Sequence, residues 1–586
     1  MVLDRQCKQE ARGPVESPGL RSESGLGARP IGRYALRTAP HREAGPTDPP
    51  TGAPDAANED GPMPGDKTAN SKTLVLAAMI FAVAMTFIDQ TIVSIAVPEI
   101  QRNLHLSTNG VQWVVNGYLL SLAAFFAFGG RLADTIGHSK MVVIGIVVFA
   151  GASTMCGLTP VGSGAEAWIV SFRVLQGLGG AIMYPAAVAI VVGAFPVNER
   201  GRAMAIFFGV AGGLTAIGPI LGGTLSQWTW RAIFWVNIPV AIVALVLIAK
   251  ARPKTETRPA RIDVPGLVLV CTGVGLSVFG IQQTELWGWG SATAIGSIVA
   301  GLVLLVVFAL VELRQSQPLI SVRIFAIRTF LVENIILVVS MACFIPIFFF
   351  ASVYAQDALG DGPNQAGLFL LLFFAGFAPG VQVGGRVLDR RGAKQVVTIG
   401  SAIAAVGFAL WSSKVLGLSV GTQWYYIILT GFGMGLMVGP ANTDAINQAG
   451  HLSYGEATGI TQTTRNFGAS LGLAALGTLL SSSIRTRLSQ SFVKAGLSPA
   501  AAAKAAGHAA QSQIGSVKGT SAQAMRVAAD AVAYGMRSVL LAMAIIMGVA
   551  CLVALLGLRR GIHHAADAPE DEPVFGAVAS EAERPA

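Results

Sequence analysis

The sequence predicts an all-α polytopic membrane protein with fourteen transmembrane helices in a 6+2+6 order, and three observations point there. Hydrophobic residues make up 53% of the chain and charged residues 12%, with a mean hydropathy of +0.59, whereas soluble chains carry about 25% charged residues. The apolar residues gather into runs of the length, about 20 residues, that crosses a bilayer as a helix. One interrupting polar segment is duplicated: GGRLADTIGHSK at 129–140 returns as GGRVLDRRGAKQ at 384–395.

In chain order, residues 1–72 are rich in Pro, Gly, Arg and acids without apolar periodicity, which predicts a disordered cytoplasmic tail. The tail lacks the apolar core of a signal peptide. A dispensable extension is favoured over a regulatory one, since Met63 lies nearer the first apolar run. Spans 1–6 fall near 74–98, 112–131, 141–158, 167–194, 203–226 and 232–250, giving a six-helix bundle over 73–250. Spans 7 and 8, near 264–283 and 292–313, form a two-helix insertion within 251–328. A second six-helix bundle over 329–558 takes spans near 329–356, 365–387, 395–415, 424–446, 456–481 and 534–558. Its long loop 482–533 is rich in Ala, Lys and Gln, reads as a short helical hairpin on the outer surface, and has a substrate-gating lid as the alternative. Residues 559–586 are a second cytoplasmic tail.

Basic residues set the expected orientation. Arg200 and Arg202, the segment Lys250–Arg261, Arg314–Arg328, Arg386–Lys394 and Arg559 with Arg560 fall on one side, which the positive-inside rule assigns to the cytoplasm together with both termini. Trp113, Trp228, Trp230, Trp287, Trp289 and Trp424 fall near the opposite ends, as an interfacial aromatic belt does. The net charge of +9 is spread over these loops and forms no basic helix with interleaved aromatics, which argues against nucleic acid as a partner. The five cysteines show neither metal-ligand nor disulfide spacing. No GxxxxGK[ST] segment is present, which argues against direct coupling to nucleotide hydrolysis.

The duplication extends beyond one segment. Gly130, Arg131, Asp134 and Gly137 match Gly385, Arg386, Asp389 and Gly392, and LQGLGGAIMYPAAVAI from 175 resembles LTGFGMGLMVGPANTDAI from 429. Spans 1–6 therefore repeat as spans 9–14. Parallel repeats of this kind are a transporter architecture with the substrate cavity at their interface.

Four segments occur in order: FIDQTIVSIAVPEI in span 1, GGRLADTIGHSK after span 2, RVLQGLGGAIMYPA in span 4 and GPILGG in span 5. On these the chain resembles the major facilitator superfamily, specifically its fourteen-helix drug/proton antiporter branch, the EmrB/QacA-type exporters. The resemblance covers about residues 74–558 and implies the major facilitator fold, a proton gradient as energy source without a cofactor, and a monomer in the lipid bilayer.

Asp89 lies mid-span, where a charged carboxylate costs about 2.5–3.5 kcal/mol. It either exchanges protons or binds span 2 through Asn116 or Tyr118; the resemblance favours exchange. Arg173 in span 4 stays charged and needs acceptors or an anion, and the resemblance links it to proton transfer, with Gln176 as companion. The alternative is a structural arginine satisfied by carbonyls of spans 1 and 2. Gly218, Pro219, Gly222 and Gly223 permit close helix approach with a kink; the resemblance makes this segment an antiporter marker, although Leu214 stands where a glycine is expected. Arg465 and Asn466 in span 13 are cavity lining or inter-helix bonding groups. Glu333 and Asp444 near inner span ends read as interfacial groups that snorkel to water, with a coupling role as the alternative. The duplicated GGRxxD segments are expected to act as paired inner gates. The resemblance implies that Gly130 packs closely and that Asp134 meets a helix N-terminus, where His138 replaces a common arginine.

The expected function is proton-driven export of amphiphilic drugs or antibiotics by alternating access. The cavity is expected to be aromatic, drawing on Phe125, Phe126, Phe128, Phe344, Phe348, Phe349, Phe350, Phe373 and Phe374, without an acidic residue in span 10. A permease for a metabolite or siderophore on the same scaffold is the alternative. A membrane-embedded enzyme or sensor would need clustered His, Cys or paired acids within the spans, and none is evident from the sequence.

Overall fold

The computed structural model describes residues 64–195, 197–253, 263–315, 322–448, 454–511, 522–559 and 561. Among them there is no strand. The first half comprises α1 (Pro64–Leu104), α2 (Thr108–Ile136), α3 (His138–Gly157), α4 (Ala165–Ala194), α5 (Val197–Trp228), the single turn α6 (Ala232–Trp235) and α7 (Asn237–Ala251). The insertion is α8 (Val264–Trp287) and α9 (Ala292–Arg314). The second half comprises α10 (Arg328–Val353), extended by a π-helical turn Tyr354–Ala358, then α11 (Pro363–Arg391), α12 (Ala393–Lys414), α13 (Trp424–Gln448), α14 (Tyr454–Lys494), α15 (Pro499–Gln511) and α16 (Ala522–Gly557).

Every one of the fourteen expected segments is helical, and the spans are counted here among the described residues. Twelve are long and apolar enough to cross a membrane, and thirteen if α2, bent by 52° between Phe126 and Phe128, is one span. The expected fifth span, α5, stands outside that number. Helices also run past the expected ends. α1 starts at Pro64, inside the segment expected to be disordered, and α14 continues to Lys494 before α15 occupies much of the expected outer loop. Arg487 on α14 and Asp530 on α16 pair at 2.7 Å across this extension. Residues 1–63, 512–521 and 562–586 of the expected tails and loop lie outside the described residues.

The duplicated polar segments form duplicated corners. α2 joins α3 through Gly137 alone, at φ 108°, and α11 joins α12 through Gly392 alone, at φ 78°. In both, the glycine N–H caps the preceding helix, on Ala133 and on Leu388, at 2.9 Å. Glycine adopts this backbone without the Cβ clash that other residues meet.

A second pair of matched positions sets how closely helices cross. Where α3 meets α4, a Cβ on Gly145 would stand 2.6 Å from the Met183 Cβ and 2.8 Å from the Gly179 carbonyl. Where α12 meets α13, a Cβ on Gly433 would stand 2.8 Å from the Gly400 carbonyl. Small residues at such crossings replace the hydrophobic driving force that lipid removes.

The halves meet chiefly where α1 packs on α10, α2 and α4 on α14, and α5 on α11. α8 lies against both α2 and α14, with Val270 and Val274 in one apolar cluster with Ala123 and Ile460, so the insertion bridges one seam. α9 packs on α8 and leaves Leu302, Val306 and Leu310 exposed, as a lipid-facing helix does. Trp228, Trp287, Trp289 and Trp424 are exposed as expected of a belt, whereas Trp230 is buried with its Nε1 donating to Asn103 at 3.1 Å.

Gly145→Val is expected to prevent assembly of the folded protein, because the Met183 backbone and side chain leave no room for it. Gly151→Val, with nothing within 4 Å of its Cβ position, is expected to leave it folded. Size-exclusion profiles of detergent-extracted variants check this contrast.

Candidate functional site

Asp89, Arg173 and Gln176 come together although 84 residues of chain separate the first two. An Arg173 Nη1 donates to Asp89 Oδ2 at 2.6 Å and to Gln176 Oε1 at 2.8 Å. The Gln176 amide donates to Asp89 Oδ1 at 2.8 Å, closing a triangle. Arg173 Nε donates to the Val114 carbonyl of α2 at 2.8 Å, and its guanidinium carbon lies 4.4 Å from the Tyr118 ring centroid. All three side chains are at most 1% exposed. Spacing on α4 explains part of this, since residues three apart in a helix share a face.

The helix faces beside this triangle open on a cavity between the halves, with an empty volume of ≈ 380 Å³. Thr86, Phe87 and Gln90 of α1, Leu122 and Phe126 of α2 and Tyr184 of α4 line one wall. The facing wall is Met341 and Ile345 of α10 with Gln462, Arg465, Asn466 and Ala469 of α14. Tyr184 packs tilted against Phe87 and edge-on against Phe126, at ring-centroid distances of 5.8 and 5.4 Å. Gln462 donates across the interface to the Tyr184 hydroxyl at 3.0 Å. Arg465 reaches Asn442 at 3.2 Å and the Met341 sulfur at 3.8 Å, while its Nε has no hydrogen-bond partner among the described residues. Aromatic and aliphatic walls with convergent polar groups are the elements of a small-molecule site, and here polar residues make up half of the lining.

The profile of the Major Facilitator Superfamily matches residues 79–473. The chain belongs to the Major Facilitator Superfamily. Among its relatives, the tetracenomycin C resistance and export protein of Streptomyces glaucescens is 34% identical over 75% of this chain and 82% of that one. The cephamycin export protein CmcT of Amycolatopsis lactamdurans is 32% identical over 71% of this chain and 86% of that one. The same fold appears in a bacterial homologue of the human lysosomal transporter Spinster in its inward-facing, unoccupied conformation, with a TM-score of 0.57 at 17% identity, covering 85% of this chain and 98% of that chain. This is therefore a polytopic major facilitator transporter whose relatives are named for antibiotic export and resistance.

The remaining expected residues occupy distinct places in the superfamily fold. Asn116 accepts a hydrogen bond from Ser470 across the α2–α14 seam, and Tyr118 donates to the Thr86 carbonyl at 3.2 Å. Asn466 lines the cavity and donates to the Gln462 carbonyl. Gly218 and Gly222 face α1, with a Cβ on Gly222 2.9 Å from the Ile92 carbonyl, while Gly223 faces α11 across the seam, 2.8 Å from the Pro363 carbonyl. Pro219 lies within α5. At the corner after α2, Asp134 pairs with His138, the first residue of α3, at 3.1 Å. Gly130 sits over Pro185, at 3.7 Å from a Cβ position, and Arg131 accepts from Thr135 through its carbonyl. Gly385, Arg386 and Asp389 occupy the matching last turns of α11.

Two expectations need correction. Phe344, Phe348, Phe373 and Phe374 do not line the cavity; they form an aromatic cluster between α10 and α11, with Phe348 stacked on Phe374 at 5.1 Å. Glu333 does not snorkel to water but is fully buried, because α10 turns that face toward α13. Sequence reasoning missed Gln462, Tyr184 and Gln90. Gln462 had a signal, lying three and four residues before Arg465 and Asn466 on the same helical face.

Removing one member of a buried ion pair strands its partner, at about 3–5 kcal/mol. Arg173→Met is therefore expected to lower the thermal stability of the detergent-solubilised protein far more than Arg231→Met at the partly exposed α5–α6 connection, as followed by a thiol-reactive or intrinsic-fluorescence melt.

Proposed function

We propose that this transporter is a proton-coupled antiporter that exports amphiphilic antibiotics or related small molecules across the cytoplasmic membrane by alternating access, with both termini in the cytoplasm. The observation that carries the reading is the closed Asp89–Arg173–Gln176 triangle, buried on the helix that also supplies Thr86, Phe87 and Gln90 to the cavity. Paired with Arg173, the Asp89 carboxylate is satisfied. If the conformational cycle shifts α1 against α4 within the first half, a buried carboxylate loses its counter-charge, and taking a proton relieves it. Protonation and conformation are then linked without a cofactor. A potential of about 100 mV supplies about 2.3 kcal/mol per charge moved, enough alone for roughly a fiftyfold gradient. The expected working unit is a monomer, since the cavity is complete within one chain.

The export direction rests on the relatives named for export. The cavity chemistry supports neutral or acidic amphiphiles: Arg465 is the charged lining residue, with an unpaired Nε, and no acidic side chain lines the cavity among the described residues. Tetracenomycin C and cephamycin are therefore the first compounds to try.

Everted vesicles containing the transporter are expected to accumulate substrate when a proton gradient is imposed, and Asp89→Asn to reduce accumulation to that of empty vesicles at equal protein levels. Absence of accumulation, with proton-dependent uptake in intact cells, would instead establish an uptake permease.

A further inference from the structure

The cavity between the halves holds a cation that no carboxylate of the described residues neutralises. Arg465 of α14 lines that cavity beside groups from α1, α2, α4 and α10. Its Nη1 donates to the Asn442 amide oxygen at 3.2 Å, and its Nη2 reaches the Met341 sulfur at 3.8 Å, a weak acceptor at long range. Its Nε is buried with no hydrogen-bond partner among the described residues. No acidic side chain pairs with it there, and none lines the cavity.

Arg173 shows what a buried guanidinium otherwise receives in this protein. It takes the Asp89 carboxylate at 2.6 Å, the Gln176 oxygen at 2.8 Å and, through Nε, the Val114 carbonyl at 2.8 Å. Arg465 has the amide oxygen but lacks the carboxylate and the Nε acceptor. An arginine does not shed its proton, and a charge held away from water without a partner is costly. The shortfall is one negative charge and one acceptor, at the wall of a cavity with an empty volume of ≈ 380 Å³.

Neighbouring groups narrow what fills it. Tyr184 lies on the facing wall and accepts from Gln462 at 3.0 Å, which leaves its own O–H to be donated. Phe87, Phe126, Leu122 and Ile345 supply apolar wall for the rest of a ligand. We propose that the cavity binds its substrate as a monoanion, a bulky apolar or aromatic body with one ionised carboxylate or comparably acidic oxygen, and that this oxygen sits on Arg465. The N–H fork of a guanidinium matches the two oxygens of a carboxylate. The proposal rests on the reading of this cavity as the substrate site and narrows the substrates from neutral or acidic amphiphiles to anions. It also bears on the driving force. One monoanion leaving for each proton entering moves two charges in the same electrical direction, so the membrane potential acts on both.

Naphthoxyacetate and its neutral amide share one aromatic body and differ in charge, and their binding to the full-length transporter in nanodiscs tests the assignment. In titration calorimetry at neutral pH, with empty nanodiscs as the reference for lipid partitioning, the wild type is expected to bind the acid roughly tenfold to a hundredfold more tightly than the amide, the range of a charge-assisted hydrogen bond. Arg465→Gln is expected to erase that preference by weakening the acid alone. Equal affinities of the wild type for acid and amide, no binding of the acid, or a preference unchanged in Arg465→Gln would each overturn the site. Should Arg465→Gln fail to fold, chemical protection decides. The acid, and not the amide, is expected to shield Arg465 of the wild type from phenylglyoxal, and equal labelling with and without the acid would overturn the site. The outcome is separable from proton coupling, since undiminished transport by Asp89→Asn would refute coupling and leave the acid preference standing.

Discussion

The architecture of the first half depends on keeping one charge pair satisfied away from water. Asp89 and Arg173 are each costly inside a bilayer, and neither is tolerable alone. Their bond at 2.6 Å, the two bonds to Gln176 and the Arg173 bond to the Val114 carbonyl tie α1, α4 and α2 to one point. Tyr118 then packs its ring on the guanidinium and Thr86 receives its hydroxyl. The cavity wall is built from the same three helices, so any movement that opens the pair also reshapes the site. In the proposed cycle this shared scaffold, not a separate relay, links proton and substrate.

Across the interface the contacts are fewer and of another kind. Gln462 with Tyr184, Ser470 with Asn116 and Gln356 with the Ile95 carbonyl at 2.8 Å join the halves through single neutral hydrogen bonds. Each is worth on the order of 1 kcal/mol net. Bonds of this strength hold one arrangement of two rigid bundles without locking it, in contrast to the charged cluster within the first half. The close backbone approaches at Gly223 and Gly367 lie at the same end as the α1–α2 connection, where α5 meets α11. That end is the tightly joined one among the described residues.

Much of this was legible beforehand. Helix existence, the repeat and the importance of Asp89 and Arg173 follow from apolar run lengths and from the cost of charge within them. Their mutual contact was not, because nothing local relates residues 84 positions apart, and polar groups nearer in sequence, Asn116 and Tyr118, were equally plausible partners. The phenylalanine cluster was misplaced for a related reason: in helices apolar on every side, periodicity does not separate a face toward lipid from one toward another helix or a cavity. Glu333 was misread because proximity to a helix end usually permits snorkelling, whereas packing of α13 over that turn forbids it.

The central claim is that Asp89 exchanges a proton when substrate binding shifts the bundles. Proton release on adding tetracenomycin C, or whichever substrate the vesicle panel identifies, to purified protein in weakly buffered detergent solution, followed with a pH-sensitive dye, tests it most directly. The account predicts release by the wild type and a smaller release by Asp89→Asn at matched substrate occupancy. Equal release by the two proteins would contradict it.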